Sequence, residues 1–177
     1  MRFRYALTGL MELPFGKDKL FLHGPVASAI AGGWAISPVY IYQTGLPFTV
    51  AMNYDAANAG TVTRPTQVCN GNVSGPHTKG EWFNTACYVN TASYTFGNVH
   101  RNSLRAPGQN YLNLSAQRNF PIRAWRDTNL NLRMEGFNLL NHPQFGAPGN
   151  TIGNPLYGVI SSASSQRQVQ LAARFTF

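Results

Sequence analysis

The closing segment alternates strictly. Val169, Leu171, Ala173, Phe175 and Phe177 take one parity, and Gln168, Gln170, Ala172, Arg174 and Thr176 take the other. A strand places two such sets on opposite faces. The opening segment behaves alike, with Phe3, Tyr5, Leu7, Gly9, Met11 and Leu13 against Arg2, Arg4, Ala6, Thr8, Leu10 and Glu12. From Asn110 onward, Leu112, Leu114, Ala116 and Phe120 oppose Tyr111, Asn113, Ser115, Gln117 and Asn119. Arg118 falls on the apolar parity near that segment's end, where a long side chain can snorkel to an interface. After Asp127, Leu130, Leu132 and Met134 oppose Asn129, Asn131, Arg133 and Glu135. Trp34 to Val50 is less regular but keeps Trp34, Ile36, Tyr40, Tyr42, Leu46 and Phe48 in phase. These stretches predict an all-β fold, an antiparallel meander of about five long strands.

Alternation alone does not separate a soluble sandwich from a membrane barrel. The connections do. A short turn at 14–18 follows the first strand, a 59-residue loop (51–109) the second, a short turn at 123–126 the third and a 25-residue connection (142–166) the fourth. Short, long, short, long is the rhythm of an outer-membrane barrel, with tight periplasmic turns and long extracellular loops. The strands approach the roughly 9–11 residues that cross a bilayer. The chain thus reads as a partial transmembrane β-barrel with long extracellular loops. Asn131, Arg133, Glu135, Gln170 and Arg174 are then expected to face the lumen, with Arg133 and Glu135 close enough to pair. Trp34, Tyr40, Tyr42 and Trp125 suit the aromatic girdles at the membrane interfaces.

Composition narrows the class further. Charged residues make up 11% of the 177 positions, where an ordinary soluble domain carries roughly 25%. Asn (17), Gly (17) and Pro (11) together supply 45 residues that bend or break regular structure. This speaks against a helical bundle and against a charge-coated soluble enzyme. The 22 aromatic residues speak against disorder. A net charge of +8 invites a nucleic-acid reading, but the basic residues are scattered, so no nucleic-acid partner is expected. No signal-peptide pattern follows Met1. Gly24 to Tyr54 carries no charge, yet Pro25, Gly32, Gly33, Pro38, Gly45 and Pro47 would break a spanning helix repeatedly.

Catalytic chemistry has no foothold: His23, His77, His100 and His142 are dispersed, and no nucleophile, metal or paired-thiol motif occurs. No enzymatic activity, cofactor or metal is expected. Cys69 and Cys87 are the only cysteines, both in the 59-residue loop, and an oxidising exterior favours a disulfide between them.

Several blocks occur in a fixed order. They are Leu13-Pro14-Phe15-Gly16-Lys17, Gly33-Trp34-Ala35-Ile36-Ser37, and Tyr42-Gln43-Thr44-Gly45-Leu46-Pro47-Phe48-Thr49-Val50. Trp82-Phe83-Asn84-Thr85-Ala86, Phe96-Gly97-Asn98, Arg101-Asn102 and Arg105-Ala106-Pro107-Gly108 come next. Glu135 to Gly146 and the closing strand complete the set. Together they resemble the C-terminal β-barrel segment of Oar-like TonB-dependent outer-membrane receptors of the acidobacterial type.

The resemblance implies a place in the outer membrane of a Gram-negative bacterium and a part in TonB-dependent ligand uptake. It implies a closing strand (Val169, Leu171, Ala173, Phe175, Phe177) that the assembly machinery reads. Residues 1–177 are expected to be one fragment of the barrel, with plug and signal peptide absent. Its partners would be outer-membrane lipid, the missing N-terminal barrel and plug, TonB through the plug, and a small ligand. Two other readings stay open. One is a small self-contained barrel with a structural or adhesive role, which needs about three further strands within 51–109. The other is a secreted carbohydrate-binding β-sandwich.

Overall fold

The computed structural model describes residues 2–17, 19–22, 24–122, 128–164 and 166–177. In chain order the strands are β1 (Arg4–Thr8), β2 (Met11–Glu12), β3 (Trp34–Gln43), β4 (Pro47–Phe48), β5 (Thr66–Gln67), β6 (Tyr88–Val89), β7 (Leu104–Arg105), β8 (Gln109–Ile122), β9 (Thr128–Phe137), β10 (Gln144–Phe145), β11 (Ala163–Ser164) and β12 (Gln168–Thr176). Helix α1 (Pro25–Ala31) precedes β3. The chain divides into two compact units. The sheet unit comprises residues 5–42, 110–142 and 165–177; the loop unit comprises 1–4, 43–109 and 143–164.

The long strands form one antiparallel meander in the order β1-β3-β8-β9-β12, with β2 also on β3. β9 pairs with β12 from Phe137↔Gln168 to Asn129↔Thr176, and with β8 from Gly136↔Leu114 to Thr128↔Ile122. Because neighbours across a ladder share a face, this register assembles two contrasting surfaces. One carries Leu114, Ala116, Arg118 and Phe120 beside Gly136, Met134, Leu132 and Leu130, beside Val169, Leu171, Ala173 and Phe175. The other carries Ser115, Gln117 and Asn119 beside Glu135, Arg133 and Asn131, beside Gln170, Ala172 and Arg174.

The sheet has no core of its own among the described residues. The buried apolar residues Val50, Met52, Ala56, Phe83, Cys87, Tyr88, Val99, Leu104 and Ile160 all belong to the loop unit. On the apolar face Val169 and Leu171 are 70% and 73% exposed. A sandwich would bury that face under a second sheet, and the long strands make only one, which corrects the β-sandwich reading. Up to the start of β8 at Gln109, residues 51–108 hold only two-residue strands among those described, not the extra membrane-length strands that a small self-contained barrel needs. Within the described sheet, β1 and β12 are each paired on one side only, so the barrel is not closed.

β1 and β2 are one strand in register. Thr44 N donates to Phe3 O, Gly9 N to Pro38 O and Leu13 N to Trp34 O, with Met11↔Ile36 between. Pro38 has no N–H to return to Gly9, which is why the regular ladder lapses there. The Ser37 hydroxyl takes over, donating to Gly9 O at 2.9 Å.

The expected short turn at 14–18 is instead a longer connection, residues 14–33, containing α1. Pro25 opens this helix where its missing N–H costs nothing, and three alanines continue it. Gly32 donates its N–H to Ser28 O, and Gly33 at φ 73° turns the chain into β3. Residues 123–127, where the short turn at 123–126 and the girdle residue Trp125 are expected, lie outside the described residues.

Ser37→Ala leaves the Gly9 carbonyl without a donor, and hydrocarbon offers no replacement. The expected cost is about 1–3 kcal/mol, read as a lower unfolding midpoint in lipid, whereas Ser37→Thr keeps the hydroxyl and most of the stability.

Candidate functional site

Two features have the makings of a site: the polar sheet face and the folded loop unit. On the polar face, register brings Asn131, Arg133, Glu135, Gln170 and Arg174 together, with Gln170 opposite Glu135 and Arg174 opposite Asn131. Arg133 Nη2 donates to Glu135 Oε1 at 2.6 Å. Asn131 Nδ2 donates to Asn119 Oδ1 at the same distance, across to β8. Half of the Arg133 side chain is exposed, so this pair orders the face more than it stabilises the fold. The result is a hydrogen-bonding surface with both signs of charge, suited to polar solutes or polypeptide and unsuited to lipid.

The long connections fold into a compact unit with a core of its own. Phe83 is fully buried at the centre, its ring 5.8 Å from Phe48, 5.8 Å from Tyr88 and 5.4 Å from Tyr157. Such tilted and edge-on contacts suit the ring quadrupoles. Val50, Cys87, Val99 and Leu104 complete the cluster, with Trp82 and Ile152 packed against it. Three two-residue pairings, β4–β7, β5–β6 and β10–β11, lie in this unit. Cys69 and Cys87 are joined in a disulfide with Cα atoms 4.8 Å apart. His77, between them in sequence, packs edge-on against Trp82 at 5.0 Å. Among the described residues no three His, Cys, Asp or Glu side chains gather as a metal site.

The sequence blocks converge here. Trp82 Nε1 donates to Arg105 O, Ala106 N to Leu46 O, and Arg105 Nη1 to Gly45 O. A Cβ on Gly45 would collide with the Ala106 carbonyl, and one on Gly97 with the carbonyls of Arg64 and Pro65. Both glycines are therefore sites of close backbone approach. Asn98 brackets Gln67, accepting from its N–H and donating to its carbonyl. In the sheet unit, Asn138 sits at φ 48°, donates to His142 O and accepts from His142 N, closing the turn after β9. The blocks are thus largely architectural.

The predicted aromatics take distinct places. Trp34 and Tyr42 lie near opposite ends of β3, about 27 Å apart at a strand's rise, close to the ~25 Å apolar band of an outer-membrane barrel. Tyr40 packs edge-on against Tyr5 at 6.2 Å. Phe177 lies one residue beyond β12, with its ring 6.3 Å from Phe175. No period marks Phe83, Tyr88 and Tyr157 in the sequence, since irregular backbone brings them together.

Burial raises the Tyr88 phenol above its ordinary range, opposed by hydrogen bonds with Gly71 and Ser103. Burial raises Tyr157 further, with help from the Tyr88 charge. A raised folded pKa favours the fold below the unfolded value near 10, and this contribution is lost as pH rises above it. Ultraviolet titration should find these two phenols ionising only as the loop unit unfolds. The disulfide should be recovered as one bridged peptide by mass spectrometry of unreduced protein. The paired Cys69→Ala and Cys87→Ala changes should cost about 3 kcal/mol of loop-unit stability, read as earlier proteolysis or loss of hydrogen-exchange protection.

No curated protein and no solved structure matches the chain. The profile of one family, described as outer membrane beta barrel domain, matches residues 1–170. An antiparallel sheet with one apolar and one polar face agrees with that description. The chain belongs to the outer membrane beta barrel domain family, and its place is the bacterial outer membrane.

Proposed function

We propose that this chain is the C-terminal barrel portion of an Oar-like TonB-dependent receptor and takes part in energised uptake of a small ligand. The observation that carries the reading is a five-stranded sheet left open at both edges, with apolar and polar ladders on opposite faces. Five strands fall short of the roughly eight in the smallest closed barrels. Open edges call for further strands, which in this reading come from the same receptor, together with a plug that contacts TonB. The polar face, with Arg133, Glu135, Asn131, Gln170 and Arg174, lines the lumen against that plug. The loop unit, disulfide-bonded and carrying its own core, stands outside and samples the ligand. Rigid loops suit that role because less conformational freedom is lost on binding. The role involves no enzymatic step and no cofactor.

Two measurements test this. The 177-residue chain alone should not give the heat-modifiable, fast-migrating band of a closed barrel on a detergent gel; a sharp folded band would favour a self-contained barrel instead. In the complete receptor, Leu171→Arg and Met134→Arg, on one rung of the apolar ladder, should block membrane folding, since a midplane arginine on the lipid face costs about 2–4 kcal/mol. Gln170→Arg and Asn131→Arg should be tolerated. Equal tolerance at all four positions would refute the assignment of faces.

A further inference from the structure

The connection between β2 and β3 carries an apolar surface that neither the sheet nor a core absorbs. Leu20 is 75% exposed, Phe21 58%, and Val26 and Ile30 69% each. Val26 and Ile30 are four residues apart on α1 and so share a helix face. Ala27 and Ser28 are half-buried, and the Ser28 hydroxyl accepts from Lys17 N at 2.7 Å. The helix therefore turns its smallest residues toward the protein and its largest apolar residues away, the reverse of a helix covering a core.

Two side chains settle which side of the sheet α1 occupies. Arg118 Nη1 donates to Ile30 O at 2.6 Å, and Trp34 Nε1 donates to the same carbonyl at 3.1 Å. Arg118 belongs to the apolar ladder, level with Leu132 and Ala173, and its guanidinium lies 4.1 Å over the Phe120 ring. The C-terminal end of α1 is thus tied to the apolar face, not the polar one. The strand that ties it, β8, is the middle of five, with two strands on either side. Strands added at the open edges of β1 or β12 would extend the sheet sideways, away from α1.

We infer that residues 19–22 and helix α1 form an interfacial membrane anchor, with Leu20, Phe21, Val26 and Ile30 dipping into the acyl boundary of the phospholipid leaflet at this end of the sheet. The occupant is a phospholipid surface because the patch continues the lipid-facing ladder of a chain that belongs in the outer membrane. Its charges fit: Lys17 lines a recess beside Pro25, Ser28 and Ala29, and Arg118 stands at the other end of the helix. Cations beside an apolar helix face are the pattern of helices that lie in the plane of the interface. Arg118 then has a structural reason to occupy a lipid-facing position: its charge is led out of the hydrocarbon to a helix-end carbonyl, which attracts cations.

The test uses protein isolated from outer membranes and reconstituted in phosphatidylcholine vesicles with brominated acyl chains. A cyanotryptophan is placed at Val26 in one variant, at Ile30 in a second, and at the half-buried Ala27 in a third. The inference expects the probes at Val26 and Ile30 to lose most of their emission to lipid bromine and to resist aqueous iodide, with the Ala27 probe quenched less by bromine. Quenching of the Val26 and Ile30 probes by iodide and not by bromine would place the patch in water and overturn the inference. Protection of both from either quencher would show a protein partner covering the patch, and would equally overturn it. Two separate probe sites keep the reading decisive if one variant fails to assemble.

Discussion

A peptide group inside hydrocarbon has no water to bond, and that constraint organises the sheet unit. It requires long ladders, so β3, β8, β9 and β12 run for nine residues or more. It makes proline in an inner strand a problem, and at Pro38 the problem is met locally, by the hydroxyl of the residue before it. It also removes any need for a protein core beneath the sheet, because lipid takes the apolar face. This accounts for the uncommon sight of Leu171 and Val169 standing exposed on a well-paired strand. The scarcity of charge has the same origin, since half of each strand's residues must suit hydrocarbon.

Outside the ladders the difficulty is inverted. Water is present, but a long connection that must hold one shape needs its backbone groups tied down and an apolar centre. The loop unit supplies the centre with Phe83 and its ring neighbours. It supplies the ties largely through asparagine. Asn70 accepts from the N–H groups of Asn72 and Val73, Asn84 from Ala86, and Asn150 donates to the Thr49 carbonyl. Asparagine combines donor, acceptor and tolerance of positive φ in a short side chain, which gives its abundance in this chain a structural reason. The disulfide restricts the same segment covalently. A ligand meeting this unit would meet a prearranged surface.

The two units therefore spend their residues on different tasks. Alternation serves the sheet, while glycine, asparagine and buried rings serve the loops. The ordered blocks that resemble a receptor family fall mainly in the second group: Gly45, Trp82, Gly97, Asn98, Arg105 and Ala106 hold backbone to backbone. Such positions define the frame of the loop unit.

Much of the sheet was legible in the sequence, because a period of two is local: each residue's face follows from its neighbours two positions away. The parity of Val169, Leu171, Ala173 and Phe175 in β12 and of Leu130, Leu132 and Met134 in β9 could be read by counting, and the loop lengths supplied the membrane. The register was not local. That Gln170 stands opposite Glu135, and Arg174 opposite Asn131, depends on how two strands 31 or more residues apart align. Helix α1 lay hidden in an uncharged run dominated by strand and turn signals, and its position depends on Arg118, 88 residues away from Ile30. The loop core is the furthest from the sequence. Phe48, Phe83, Tyr88 and Tyr157 share no period and meet only because irregular backbone, held by asparagines and one disulfide, folds back on itself. Periodicity determined which residues face apart; only the tertiary structure decided which residues meet, because meeting depends on long-range closure that no local pattern encodes.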